Sequence, residues 1–465
     1  MAQIFPFQAY RYNPGRVELA RVLTQPYDKI MPAMQERYYG LDAHNLITIE
    51  KGKSRPDDAP SNNVYTRAAE ALREWIAEDV LVRDPAPSIY VYSQDYAVPH
   101  SGERKTRKGF IALGRIEDYA AGVVHRHEQT LSGPKADRLE LLRHTRAHTG
   151  QLFMLYADGE YRVETLLEQA SRALAPVVVR DEYDVVHRLW PIADAAILAQ
   201  FQKAMTDKKL VIADGHHRYE TALAYRDECR AKAAAADPDA PHRFASRWNR
   251  DGSLTASEKV MMTFFDTQGE GLIILPTHRV VSGLGDFQWK AFRQHMEAYF
   301  ETSSYAVNGE EQRARSLDAL RRHMQKHQRT QRMIGIYGGR NTWPEERAFF
   351  LFTLRRDVDL AALLPDVSPA QRQLDVVLLH RVVLEQGLGV TAEAVRAEKN
   401  ITYEREMDAA IAAVDQGAAQ LCCLLNPVRV EQVVEMALGG EALPQKSTDF
   451  YPKLLSGLTI YRLDG

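Results

Sequence analysis

A chain of 465 residues is long enough for two or three domains, and 45% hydrophobic and 26% charged residues are typical of an ordinary globular protein. Its 59 basic and 62 acidic side chains leave a net charge of -3, which argues against a globally basic nucleic-acid-binding protein. Three cysteines cannot form a disulfide framework, and neither a signal peptide nor an apolar run of about 18 residues is found. We therefore expect a cytoplasmic protein with no membrane partner.

The first part of the chain alternates strand and helix patterns, which predicts a mixed α/β or α+β fold. Two long β-rich runs separated by a glycine-containing turn predict a hairpin, and hence a mixed rather than purely parallel sheet. In chain order, the predicted strands are Phe5–Ala9, His44–Glu50, Ser88–Tyr96, Arg107–Ile116, Gln151–Tyr156, Leu210–Ala213, Val260–Phe265 and Leu272–Leu275. The predicted helices are Val64–Asp79, 134–148, Glu160–Ala175, Ala193–Met205 and Tyr219–Ala236.

From Asp286 onward a second alternation of helix and strand begins, so we predict a domain boundary there, with domains 1–285 and 286–465. The predicted helices of the second domain are 286–300, Glu310–His327, Pro369–Gln386, Glu404–Val414 and Val428–Leu438. Its predicted strands are Thr302–Val307, Arg332–Tyr337, Arg347–Leu354 and Gln420–Leu425. The tail from Pro444 contains aromatic residues, which favours docking over disorder.

One stretch combines a buried strand, a tight turn and a helix start. Leu210 to Ala213 are apolar, Asp214 and Gly215 form the turn, and His216, His217 and Arg218 lead into the helix. Backbone N–H groups and the positive end of the helix dipole favour a bound phosphoryl group there, together with two imidazoles and a guanidinium. The alternative is a solvated helix start with one core histidine.

A second polar cluster precedes the predicted helix 134–148. Glu128 is the candidate general base for a substrate hydroxyl, and His127 is placed to orient it. Lys135 and Arg138 follow on the helix as candidate ligands for a carboxylate. The alternative is an exposed charged loop before a charged helix.

Further anion contacts are predicted from distant parts of the sequence. His278 and Arg279 follow a predicted strand, where they complete an anion site or simply cap the sheet. Lys446 and Ser447 in the tail are candidate phosphate contacts.

Two histidine pairs have spacings that occur in zinc sites. His125 and His127 are two residues apart, and His144 and His148 would share one face of a helix. The sequence has neither a His-Glu-x-x-His motif nor a cysteine beside these pairs, so we predict no metal site.

Several motifs together resemble a known family. Asp-Gly-His-His-Arg at 214–218 resembles the signature of the prokaryotic family called domain of unknown function 1015, and is similar to a turn of the ParB/sulfiredoxin-like superfamily, which includes free L-serine kinases. The other matching segments are 4–9, 25–28, 127–138 with its His127-Glu128-x-Thr130 core, 274–279 and 444–453. This resemblance implies a ParB/sulfiredoxin-like core with a mixed sheet in residues 1–285, followed by a second α/β domain with a docking tail.

The resemblance also implies a function. It indicates an ATP-dependent kinase, or another nucleotide-using phosphotransferase, that acts on the hydroxyl of a free small molecule such as L-serine. The turn 214–218 would hold the nucleotide phosphates, Mg²⁺ would accompany them with Asp214 as a contact, and His217 would join Glu128 and His127 in catalysis.

Two other functions fit the sequence less well. A non-catalytic nucleotide-binding regulator of the ParB-like type is the alternative, but no basic helix-turn-helix segment is found, so nucleic acid is not an expected partner. A sulfiredoxin-like reductase would need a reactive cysteine in the turn, where this chain has His216. The sequence leaves the oligomeric state open, with a homo-oligomer as one option.

Overall fold

The computed structural model describes residues 2–128, 132–172, 174–236, 248–249, 253–339 and 347–464. They fall into two compact units, of which the first contains residues 1–272 and 452–465 and the second contains residues 273–451. Each unit has its own sheet and its own buried apolar core.

The strands of the first unit are β1 Ile4–Phe5, β2 Tyr10–Tyr12, β3 Leu81–Arg83, β4 Ile89–Ala97, β5 Arg104–Arg115, β6 Val124–His125, β7 Ala147–His148, β8 Leu152–Tyr156, β9 Val177–Arg180, β10 Val186–Ile192, β11 Leu210–Asp214 and β12 Lys259–Asp266. Its helices are α1 Leu19–Val22, α2 Pro32–Tyr39, α3 Ile47–Glu50, α4 Val64–Ala77, α5 Ser132–Thr145, α6 Arg162–Arg172, α7 Ala195–Met205 and α8 His216–Ala236.

The second unit contains β13 Ile273–Leu275, β14 His278–Val281, β15 Phe300–Ala306, β16 Met333–Gly338, β17 Ala348–Leu354, β18 Ile401–Glu404, β19 Leu421–Leu424 and β20 Asp449–Tyr451. Its helices are α9 Trp289–Met296, α10 Glu310–His327, α11 Leu360–Leu363, α12 Asp375–Leu378, α13 Ala392–Arg396, α14 Met407–Asp415 and α15 Val430–Leu438, and α12 continues as the π-helix Leu379–Gly387. The final strand, β21 Tyr461–Arg462, returns to the first unit.

The large sheet of the first unit confirms the predicted mixed topology. Along it the order is β6-β11-β8-β12-β5-β4-β10-β9, with β1 paired to β5. Strand β11 is parallel to β6, and β12 is parallel to β8, whereas β4 and β5 form the predicted antiparallel hairpin. The order places β11, which leads into the 214–218 turn, between β6 and β8.

The second unit is built on a six-stranded antiparallel sheet of order β15-β17-β16-β19-β14-β18. Its core joins apolar residues of this sheet with those of α10 and α14. The fold as a whole is therefore mixed α/β, as the sequence predicts.

The boundary between the units differs from the predicted one at residue 285. Residues 273–281 form β13 and β14, which pair with β20, β18 and β19 of the second unit. Residues 452–465 belong to the first unit because β21 pairs with β7 and Ile460 bridges to Tyr10. These pairings are between residues far apart in the chain, and local sequence patterns do not reveal them.

The predicted strand at 44–50 is wrong. Residues Ile47–Glu50 form a short helix, because the Asn45 side chain accepts a hydrogen bond of 2.9 Å from the backbone N–H of Ile47 and so favours a turn. Short apolar runs do not distinguish a strand from a buried helical turn by periodicity alone. Within the described ranges, no helix has the length and apolarity needed to cross a membrane.

Candidate functional site

Strand β11 and helix α8 form the turn predicted from residues 214–218. The four apolar residues of β11 are buried, and α8 begins at His216, directly after Gly215. Gly215 has a φ of 94°, and a Cβ atom there would lie 2.9 Å from Leu152 Cδ2, so the turn requires glycine. The helix begins earlier than the predicted Tyr219, so residues 216–218 form its first turn, whose N–H groups have no acceptor within the helix.

Two histidine rings pack together at this turn. The rings of His127 and His216 are nearly perpendicular, with centroids 4.7 Å apart, and His127 Nδ1 is hydrogen-bonded to the Ile212 carbonyl at 2.7 Å. Burial lowers the pKa of His127 to about 4, and burial together with the charge of His127 lowers the pKa of His216 well below its usual value. Both imidazoles are therefore neutral near pH 7, so that each can donate or accept a hydrogen bond but carries no charge.

Asp214 is surrounded by positive charge. Its Oδ2 atom lies 3.4 Å from Lys453 Nζ and 3.8 Å from a guanidinium nitrogen of Arg218, and its Oδ1 atom accepts a hydrogen bond from Gly215 N. Burial alone would raise the pKa of the Asp214 carboxyl, but the charges of Lys453 and Arg218 outweigh burial and lower it. Asp214 thus holds two cations at the turn.

Lys453 reaches the turn because a buried pair of side chains fixes its backbone. Gln94 donates a 2.8 Å hydrogen bond to the Lys453 carbonyl, and Arg107 donates to the Pro452 carbonyl at 2.6 Å and also to Gln94. The Arg107 guanidinium lies against the rings of both Phe153 and Phe265, 4.6 and 4.7 Å from their centroids. Burial lowers the pKa of Arg107 to about 10, so this side chain still carries its charge near neutral pH.

Several buried polar atoms at the turn have no hydrogen-bond partner among the described residues. These atoms are His216 Nε2, Arg218 Nε, Gln151 Nε2 and Ser456 Oγ. Arg218 also donates to the Gln151 carbonyl, and a Cβ atom on Gly150 would lie 3.2 Å from both Arg218 and Ser456. Buried polar groups are normally paired, so this concentration indicates a position for a polar ligand or ordered water.

A small cavity of about 50 Å³ lies beside Arg218, and its polar lining also includes Glu50, Arg138, His148, Thr149 and Thr221. One water needs roughly 10–15 Å³ on this scale, so the cavity has room for a few waters or one compact anionic group. The tyrosine of the 25–28 motif is close by, because the Arg138 guanidinium stacks 4.4 Å from the centroid of the Tyr27 ring.

Of the other predicted residues of the first unit, Lys135 and Arg138 lie beside residues of α8. Lys135 Nζ is 3.9 Å from Glu220 in the second turn of α8, and Arg138 lines the small cavity with Arg218. Glu128 is half-buried and directly follows His127, whereas Thr130 lies outside the described residues. His217, within the first turn of α8, is also half-buried.

The remaining predicted residues belong to the second unit. His278 is buried and accepts a 3.1 Å hydrogen bond from Leu425 N, and burial lowers its pKa to about 3. Arg279 is buried as well, and it lies 3.3 Å from the Lys446 carbonyl and donates to the Thr277 carbonyl. Ser447 donates to the Pro444 carbonyl at 2.5 Å. These contacts stabilise the second unit, and a role for the four predicted side chains in ligand binding stays a prediction.

Among the described residues, neither of the two histidine pairs with zinc-like spacing forms a metal site. His144 Nδ1 contacts the Glu140 carbonyl at 2.8 Å, and His148 stacks on the ring of Tyr461. In the part of the chain that the structure covers, no three histidine, cysteine or carboxylate side chains are grouped to hold a metal ion.

A strand, a glycine turn and a helix start with two cations beside it form an arrangement that suits a bound anion, here in a mixed α/β protein. The family model described as protein of unknown function (DUF1015) matches residues 4–377. The chain belongs to this family, which confirms the resemblance seen in the sequence. No curated protein gave a match.

A comparison with solved structures also gave matches at low identity. A conserved hypothetical protein from Pyrococcus furiosus is 12% identical over 74% of this chain and 93% of its own, with a TM-score of 0.33. Free serine kinase in complex with AMP, and a mutant of it in complex with ADP, are each 10% identical over 72% of this chain and 89% of theirs, with TM-scores of 0.34.

Proposed function

We propose that this protein is a phosphotransferase, specifically an ATP-dependent kinase that phosphorylates the hydroxyl of a free small molecule such as L-serine. The observation that carries the proposal is the group of buried, unpartnered polar atoms at the 214–218 turn, next to the cations Arg218 and Lys453. Phosphoryl transfer depends on positioning and charge neutralisation, which backbone N–H groups, guanidinium and ammonium supply together. The choice of reaction and of nucleotide follows the family resemblance.

In the proposed reaction, the phosphates of ATP bind at the first turn of α8. The acceptor oxygen attacks the γ-phosphorus, and the bond from this phosphorus to the bridging oxygen of ADP breaks. The hydroxyl proton passes to a carboxylate, for which we propose Glu128, while His127 and His217 orient the reacting groups. Lys135 and Arg138 are proposed to hold the acceptor, with His278, Arg279, Lys446 and Ser447 as further substrate contacts.

Mg²⁺ would reach the site with the nucleotide phosphates, where it would neutralise their charge. Asp214, the predicted protein contact, is already paired with Lys453 and Arg218. The described residues therefore do not fit a Mg²⁺ site held by protein side chains.

The test is to incubate the purified protein with ATP, Mg²⁺ and a panel of hydroxy amino acids and sugars. We expect ADP and one phosphorylated product, both detected by ³¹P NMR. Nucleotide binding without turnover of any acceptor would instead support the regulatory ParB-like alternative. Absence of nucleotide binding would contradict both.

A further inference from the structure

A second, larger cavity adjoins the small one at the turn. It measures about 470 Å³, and its polar lining is provided chiefly by Glu50, Lys51, Asp137, Arg138, Tyr27 and Tyr65. Glu50, Arg138 and Leu141 line both cavities, and Arg218 lines the small one. A molecule in the larger cavity would therefore lie next to the proposed phosphate site.

Two of the cations that line the larger cavity, Arg138 and Lys51, have spare hydrogen-bonding capacity. Arg138 donates to the Glu50 carbonyl and to Asp137, which leaves two of its five N–H groups without an acceptor in the described residues. Lys51 donates to the carbonyls of Tyr27 and Ile30, at 3.3 and 2.6 Å, and its third N–H is likewise unused. Burial and the charge of Arg138 lower the pKa of Lys51, and a bound anion would relieve this repulsion.

The lining of the larger cavity also contains a carboxylate for which no ion pair is found among the described residues. Glu50 is only 3% exposed, and its carboxylate accepts a hydrogen bond from Thr149 Oγ1. Across the described residues, no lysine or arginine nitrogen lies within 4.0 Å of its oxygens. A buried carboxylate normally has a cation or several donors beside it, so Glu50 has capacity for a hydroxyl or ammonium donor of a ligand.

We propose that the larger cavity is the acceptor site and binds a small molecule that carries both an anionic group and a hydroxyl. The anionic group would bind Lys51 and Arg138, and a donor of the same molecule would bind Glu50 at the border with the phosphate site. The assignment of the bound molecule as a phosphate acceptor rests on the proposed function, but its binding does not. In this scheme Glu50 is a binding residue, and Glu128 keeps the role of proton acceptor.

The test is isothermal titration calorimetry of the full chain, without nucleotide, using L-serine, D-glycerate and glycerol as probes. We expect at least one of the two anionic alcohols to bind, and glycerol not to bind. Lys51→Met should weaken that binding by about tenfold or more because a charged hydrogen bond is lost. Lys203→Met on the exposed side of α7 is the matched control and should leave it unchanged.

The Glu50→Gln variant distinguishes whether Glu50 binds the ammonium group or the hydroxyl of the ligand. If Glu50 holds an ammonium group, this variant should weaken L-serine binding by about tenfold or more while D-glycerate is little affected. If Glu50 holds the hydroxyl, both probes should weaken alike. Far-ultraviolet circular dichroism and a cooperative unfolding transition establish that each variant is folded.

If neither anionic alcohol binds the wild-type protein at up to about 10 mM, the assignment of the larger cavity as the acceptor site is overturned. Binding that is unaffected in folded Lys51→Met and Glu50→Gln proteins would also overturn it. Phosphate transfer with unchanged KM in these variants would leave the kinase proposal standing without this cavity. Variant-sensitive binding without any transfer would support the cavity and contradict the kinase.

Discussion

Lys453 Nζ lies 3.4 Å from Asp214 Oδ2, which joins the C-terminal tail to the turn that begins α8. The ammonium group is held there by its own backbone, whose carbonyl accepts from Gln94, next to the Arg107 contact with Pro452. The turn therefore receives positive charge from two directions, from Arg218 in its own helix and from a residue near the end of the chain. We therefore expect Lys453 to contribute to stability and, under the proposed function, to nucleotide binding.

Lys453→Met should lower the free energy of unfolding by about 1–3 kcal/mol, because Asp214 loses its closest cation while remaining largely buried. We also expect ATP affinity to fall by about tenfold or more. Urea denaturation and calorimetry measure the two effects. Lys232→Met, on the exposed side of α8, is the control, and equal behaviour of the two variants would contradict the role of Lys453.

Gly215→Ala should destabilise the protein by about 1–3 kcal/mol, because φ is positive there and the new Cβ would lie 2.9 Å from Leu152 Cδ2. The displaced turn should also bind nucleotide more weakly. Gly159→Ala is the matched control, since a Cβ at Gly159 meets no atom within 4 Å. A Gly215→Ala protein as stable as the control would show that the turn is not constrained in this way.

Stability should decrease as the pH falls from about 6.5 toward 4, in part because of His127. Its pKa is lowered to about 4 in the folded state by burial, against which the bond to Ile212 and the charge of Asp214 act, so the unfolded chain binds more protons in this window. His127 stabilises the fold fully above its unfolded pKa, and this contribution is lost as the pH falls through the folded pKa.

The measurement is urea unfolding of wild-type and His127→Gln proteins at pH 7.5 and 5. The wild-type protein should lose about 2 kcal/mol more than the variant between these two pH values. The comparison uses the change with pH, so a general loss of stability in the variant does not affect it. Equal pH dependence of the two proteins would show that His127 does not titrate as described.

Glu128→Gln should leave ATP binding intact and reduce the rate of phosphate transfer by about 10² or more if Glu128 accepts the hydroxyl proton. The kinase assay and calorimetry distinguish the two quantities. Glu70→Gln, on the exposed face of α4, serves as the control. Unchanged turnover in Glu128→Gln would move the proton acceptor to another carboxylate.

The sequence predicts those parts of the site that are formed by consecutive residues. A buried apolar run followed by Asp214 and Gly215 predicts the strand and the turn, and both are present. The sequence makes both His127 and His216 candidates but does not predict their contact, because that contact depends on β6 pairing with β11.

Other parts depend on contacts between distant residues, which local patterns do not show. Lys453 lies in the 444–453 segment that resembles the family, but the sequence points to Lys446 and Ser447 as the phosphate contacts, and those two residues fall in the second unit. Glu50 was hidden in an apparent apolar strand that is a helical turn. A glutamate at the end of an apolar run was the only signal that could have identified it.

The central claim is that residues 214–218 form a phosphate site. Its most direct test is calorimetric titration of ATP into the wild-type protein and into the Arg218→Gln variant, with Arg83→Gln on the exposed part of β3 as the control. Arg218 lines the small cavity and has an unpartnered Nε, so its replacement should weaken ATP binding by about tenfold or more, whereas Arg83→Gln should bind like the wild type. Failure of the wild-type protein to bind ATP, or equal affinity in a folded Arg218→Gln protein, would contradict a phosphate site at residues 214–218.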